Sequence, residues 1–212
     1  MFCGTSIACD GRALVPRMET EQMVGQILDR LNESFDGHVV DLGTGTGAIL
    51  LSLCNALEHS IGTGFDKSQN AIELARENLR GKICENRVCF ELMDWNDLTP
   101  KTLGDSIHLV VSNPPYLTEH EWSDSMPEVW EHDPKSALVA EENGLADIFK
   151  VIEVSSILLV NGGLFVMEIG KGQAKKIEDQ VKLFYSRFEF SKDLHGVRRF
   201  LWASKDSKFP WD

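Results

Sequence analysis

The tetrad Asn113-Pro114-Pro115-Tyr116 follows directly on the apolar run Ile107-His108-Leu109-Val110-Val111-Ser112. The run reads as a buried strand, and neither proline can continue its ladder, because proline has no backbone N–H. An amide, a rigid corner and an aromatic ring are thus held at a strand's carboxyl end, where open α/β sheets place their ligand crevice. The chemistry is recognition of a planar amino group. The Asn113 amide oxygen can accept from an –NH2, the Pro114 carbonyl can accept its second hydrogen, and Tyr116 can stack on the flat group that carries it. Pro115 completes the corner. A nitrogen held by two acceptors presents its lone pair to an electrophile. The plain alternative is a strand-ending turn, since Asn and Pro are common turn residues.

A second set of residues could hold that electrophile. The short strand His38–Leu42, with Asp41 inside it, runs into Gly43-Thr44-Gly45-Thr46-Gly47 and then a helical segment from Ala48 to Leu57. Strand, glycine turn and helix form a nucleotide-binding layout, and the glycines let a ligand approach the backbone closely. The strand Ile61–Phe65 delivers Asp66 about 20 residues past the glycines, where a ribose-binding acid is expected. The spacing is G-x-G-x-G, tighter than a dinucleotide fingerprint. It favours a cofactor without a pyrophosphate, S-adenosylmethionine. A third strand, Arg87–Met93, ends in Asp94-Trp95, an acid and a flat aromatic suited to an adenine ring.

These groups need a sheet to carry them. Four successive strands end in Gly43–Gly47, Asp66, Asp94-Trp95 and Asn113–Tyr116. A fifth is expected at Leu164–Ile169, after a helix from Ala146 to Val160 closed by Asn161-Gly162-Gly163. A helix at Ala174–Phe184 precedes two strands, Phe188–Asp193 and Arg199–Ala203, that form a hairpin around His195-Gly196. At the other end, Asp10-Gly11 is a hairpin-turn signal, and Thr20 is the expected N-cap of a helix carrying Met23, Val24, Ile27, Leu28 and Leu31. Residues Thr118–Pro134, with Trp122 and Trp130, read as a loop or short helices over the crevice, a candidate lid and partner surface. Glu168 lies in an apolar strand, where an unpaired charge is costly; Arg17 or another basic group is its expected partner.

The 212 residues suit one α/β domain with a full core. No apolar run approaches a membrane span, and the first residues resemble neither a signal nor a transit peptide. Five cysteines with no C-x-x-C pair point to reduced thiols inside the cell, and no metal site is expected. A net charge of −12 disfavours nucleic acid as the direct substrate, because backbone binding needs neutralised phosphates.

Taken together, Pro16-Arg17-x-Glu19-Thr20-Glu21, Asp41–Ala48, Ser112–Tyr116, Ala137-Leu138 with Gly144-Leu145, and Glu168-x-Gly170-x-x-Gln173 resemble the HemK/PrmC family. These are S-adenosylmethionine-dependent enzymes that methylate the glutamine of the Gly-Gly-Gln motif in peptide chain release factors. The match runs through nearly the whole chain. Adenine amino-methyltransferases share the tetrad alone; the Pro-Arg-x-Glu-Thr-Glu stretch narrows the resemblance.

The resemblance implies a class I, Rossmann-like methyltransferase fold: a mostly parallel seven-stranded sheet, helices on both faces and a C-terminal antiparallel hairpin. It implies cofactor contacts from Gly43 to Gly47, Asp66 and Trp95, and a substrate glutamine held by Asn113, Pro114 and Tyr116. Asp41, Asp94, Asn113 and Pro115 are expected beside them. One domain spans residues 1–212, with residues 1–35 as an N-terminal hairpin and helix; the family's small N-terminal helical domain is expected to be absent. The segment Glu131-His132-Asp133-Pro134 is similar to organellar members, which leaves cytoplasm and mitochondrial matrix as compartments. A monomer is expected, with a release factor as protein partner. The rival readings are an adenine amino-methyltransferase acting on nucleic acid and a catalytically inactive, truncated product.

Overall fold

The computed structural model describes residues 1–32, 34–103, 106–125 and 133–209. Trp130, Glu131 and His132, singled out above, lie outside them. Seven strands form one sheet in the order β3-β2-β1-β4-β5-β7-β6. They are β1 (His38–Leu42), β2 (Ile61–Asp66), β3 (Val88–Leu92), β4 (Ile107–Ser112), β5 (Leu159–Glu168), β6 (Arg187–Lys192) and β7 (Arg198–Ser204). The first five pair in parallel. β7 pairs antiparallel with both β5 and β6, giving the expected seven-stranded sheet and terminal hairpin. The order reverses between β1 and β4, so their carboxyl ends flank the crevice at which such sheets bind ligands.

Strand alternation feeds two cores. On one face Val39, Leu109, Val111, Val166 and Trp202 pack with Met23, Val24 and Ile27 of α1 (Met18–Arg30), Leu50 and Leu53 of α2 (Ala48–Ala56) and Ile72 of α3 (Gln69–Leu79). On the other, Val40, Leu42, Val110, Phe165 and Met167 pack with Ile148 and Val151 of the helix Ala146–Leu158, and with Ile177 and Val181 of the helix Ala174–Phe184. Successive strand side chains point to opposite faces, and a strand covered on both faces becomes continuously apolar. β4 buries every residue but His108.

Three local expectations are corrected. Residues 6–14 form no hairpin; Asp10 instead closes a turn by accepting from the Arg12 N–H at 3.0 Å. Asp-Gly is also at home in such an Asx turn, and among the described residues, 6–14 belong to no strand. Thr20 does not cap α1, which begins two residues earlier with Arg17 at the N-cap; Thr20 is buried and used elsewhere. Asn161-Gly162-Gly163 lies inside β5, where the register against β4 shifts between Ile107 and Leu109. Gly162 has φ +78°, which glycine adopts without steric cost. Among the described residues, no helix is long and apolar enough to cross a membrane.

Candidate active site

The glycine turn after β1 is shaped by its neighbours. The Gly43 and Thr44 N–H groups both donate to the Phe65 carbonyl at 2.9 Å. Gly47, at φ +80°, leaves no room for a side chain: a Cβ would stand 2.7 Å from the Phe90 ring. At Gly43 a Cβ would stand 3.1 Å from the Trp95 ring. Beneath the turn Asp41 is fully buried and accepts from the Thr44 hydroxyl at 2.7 Å. Burial pushes its carboxyl up to about 7.

Asp66 stands at the carboxyl end of β2 and binds the turn directly. One carboxylate oxygen accepts from Gly45 N–H at 3.0 Å, the other from Ser68 N–H at 2.9 Å. Ser68 caps α3, its hydroxyl accepting from Ala71 N–H. Burial raises the Asp66 pKa while these backbone donors lower it. At the end of β3, Asp94 caps a short 3-10 turn that carries Trp95. Next to these groups lies a cavity of about 340 Å³.

Asn113 reaches the same cavity from the end of β4. Its Nδ2 donates to Thr20 Oγ1 at 3.1 Å. Its Oδ1 is buried and has no hydrogen-bond partner among the described residues. Thr20 in turn donates to Glu168 Oε2 at 2.8 Å, and the Tyr116 hydroxyl donates to Glu168 Oε1 at 3.1 Å. Glu168 is therefore not paired with Arg17, which binds Asp133. Two hydroxyl donors answer the buried carboxylate instead. Burial still raises the Glu168 pKa to about 7, and burial beside that carboxylate raises the Tyr116 phenol.

Residues 20–140 match the family model for the Methyltransferase small domain. The release factor glutamine methyltransferase of Bacillus cereus is 33% identical over 211 residues, spanning 97% of this chain and 74% of that protein. Its counterpart from Vibrio cholerae is 42% identical over 187 residues, 88% of this chain and 64% of that one. The chain belongs to the release factor glutamine methyltransferase family. The N-terminal domain of human METTL16, solved in complex with SAH, shares its fold with a TM-score of 0.66 at 16% identity, over 96% of this chain and 76% of that one.

In this family member, Gly43, Thr44, Gly45, Thr46, Asp66, Asp94, Trp95, Asn113 and Pro115 all border the cavity. Asp41, Gly47, Pro114 and Tyr116 do not border it; Asp41 holds the wall residue Thr44, and Tyr116 reaches Asn113 through Glu168 and Thr20. One wall is signalled in the sequence only by Pro16, through the Pro-Arg-x-Glu-Thr-Glu resemblance. Arg12, Ala13, Leu14 and Pro16 close the cavity from an irregular arm. Asn78 holds that arm to α3, accepting from Ala8 N–H at 2.8 Å and donating to Ala8 O at 3.0 Å. Arg12 forms a two-pronged pair with Glu77, and Val15 N–H donates to Asp133. These contacts span 65 to 118 positions, and no local periodicity announces them. Pro134, Ser136 and Ala137 border the cavity as well; the Ala137-Leu138 resemblance was the signal for them.

Proposed function

We propose that this chain, acting as a single-domain monomer in the cytoplasm or mitochondrial matrix, methylates the side-chain amide nitrogen of the glutamine in the Gly-Gly-Gln motif of a peptide chain release factor, using S-adenosylmethionine. One observation carries the reading. Asn113 borders a cavity lined by a glycine turn and an acidic strand end, and its amide oxygen is buried with no partner among the described residues. An acceptor left without a partner costs about 1–3 kcal/mol, which an arriving N–H offsets.

The residues present fit the cofactor. The turn at Gly43–Gly47 offers close backbone approach. Asp66, fixed by Gly45 and Ser68, keeps acceptor capacity for ribose hydroxyls. Trp95 supplies a flat face for the adenine, with Asp94 beside it. When bound, S-adenosylmethionine supplies a methyl group that transfers with its former bonding pair remaining on sulfur.

The chain's own part is positioning. An amide nitrogen is a poor nucleophile because its lone pair is delocalised into the carbonyl. Asn113 Oδ1 accepts one of its hydrogens, and the carbonyl of Pro114, which lies between the cavity-lining Asn113 and Pro115, is the proposed acceptor of the other. The nitrogen supplies the electron pair of the new N–C bond and gives up one hydrogen as a proton to solvent water, since no side chain is assigned as a base. Orientation of this kind supplies on the order of 7–11 kcal/mol. The net charge of −12 supports a protein substrate over a phosphate backbone.

Asn113→Ala tests the reading. Turnover is expected to fall by about 10²–10³, with S-adenosylmethionine affinity by calorimetry held within about twofold. Wild-type turnover in that variant overturns it.

A further inference from the structure

Four side chains from three parts of the chain meet beside the cavity. Asn113 and Tyr116 open and close the tetrad after β4, Thr20 lies on α1, and Glu168 ends β5. Their donor count fixes the direction of every bond. An ionised carboxylate can only accept, so Thr20 and Tyr116 both donate to Glu168. A threonine hydroxyl has one hydrogen, and Thr20 has spent it on Glu168. Thr20 can therefore only accept from Asn113. This commits Nδ2 to Thr20 and leaves Oδ1, on the other branch of the same amide, buried and without a partner among the described residues.

We propose that Glu168 is a positioning residue for methyl transfer: acting through Thr20, its ionised form holds the Asn113 amide with the oxygen toward the substrate nitrogen. The proposal rests on the substrate reading above and deepens it. A protonated Glu168 gains a donor. It can then donate to Thr20, whose hydrogen becomes free for Asn113 Oδ1. The amide turns over, and an –NH2 meets the substrate's –NH2. Recognition is lost without any change in shape.

Several groups face Glu168 and set the balance. The Thr20 and Tyr116 hydroxyls and the Arg199 guanidinium on β7 favour the ionised form; burial and Glu19 on α1 oppose it. Arg199 is itself held by Asp193 at 3.4 Å and by the Ile169 carbonyl at 3.2 Å. The result, a carboxyl that titrates near 7, places the two amide orientations within reach of each other near neutral pH.

The full chain, labelled with ¹⁵N, tests the relay without substrate or cofactor. The side-chain –NH2 resonances of Asn113, assigned by their loss in Asn113→Ala, are followed through a pH titration. They are expected to inflect near 7, and kcat on a release factor is expected to rise through the same range. Glu168→Gln and Thr20→Val remove the inflection and lower kcat about 10- to 100-fold. Thr20→Ser, which keeps the hydroxyl, retains the inflection and guards against a mere packing effect. An inflection that persists in Glu168→Gln overturns the proposal, as does a Glu168→Gln variant with lowered melting temperature but a wild-type pH profile. A wild-type inflection with no methylation of any release factor supports the relay and overturns the substrate reading.

Discussion

The side-chain amide nitrogen of Gln173 donates at 3.0 Å to the carbonyl oxygen of Tyr116, and at the same distance to that of Gly144. Its Oε1 accepts from Gly170 N–H at 2.7 Å. One buried side chain thus joins the tetrad loop, the turn before the helix Ala146–Leu158 and the end of β5. Gln173→Ala leaves these backbone groups unpaired. It is expected to lower unfolding free energy by about 1–3 kcal/mol, read from urea denaturation, and to raise KM as Tyr116 loosens. Gly144→Ala is expected to be worse than neutral for a related reason. Its φ is +79°, and a Cβ there collides with the Tyr116 carbonyl.

Gly47→Ala probes the turn. The left-handed backbone at φ +80° costs a non-glycine residue about 1–2 kcal/mol, before any clash with the Phe90 ring is counted. Cofactor affinity is expected to weaken along with stability, because α2 begins at the next residue. Calorimetric titration with S-adenosylmethionine and a thermal melt together check this. An unchanged melting temperature would show that the backbone relaxes at little cost.

Acid is expected to stabilise the fold in one window. Asp41 and Glu168 are both pushed up to about 7 by burial, whereas unfolded carboxylates titrate near about 4. Between those values the folded chain keeps protons that the unfolded chain has lost, so stability falls as pH rises. Asp66 and Asp147, raised by burial, act in the same direction. His38 opposes them, because burial and His108 lower its pKa and the unfolded imidazole takes up its proton more readily. The two strongly shifted carboxyls outweigh it. Asp193, lowered chiefly by backbone donors against its burial, loses its contribution only below the unfolded carboxylate range. The urea midpoint is therefore expected to fall from about pH 5 to about pH 8. Asp41→Asn and Glu168→Gln should each flatten that slope; a midpoint that rises across the window contradicts the assignment.

The sheet and its strand ends were legible in the sequence because parallel strands buried on both faces are continuously apolar and end at glycines, acids or prolines. Ile107–Ser112 and Ala174–Phe184 match the structure end to end. What escaped was every role fixed by long-range pairing. Thr20 looks like a helix cap, yet its hydroxyl serves a carboxylate 148 positions away. Arg17 looks like the mate of Glu168, yet it binds Asp133. The weak alternation up to Leu14 suggests a hairpin, yet the arm from Arg12 to Pro16 is irregular and only its tertiary latches make it a cavity wall. Local pattern reports local periodicity; it is silent on which distant donor a buried acceptor meets.

The most direct measurement is transfer of labelled methyl from S-adenosylmethionine to a release factor carrying Gly-Gly-Gln, compared with the same factor changed to Gly-Gly-Ala. Label that depends on the glutamine is the predicted result. Label on neither factor, with cofactor binding confirmed by calorimetry, or label on nucleic acid instead, would contradict it.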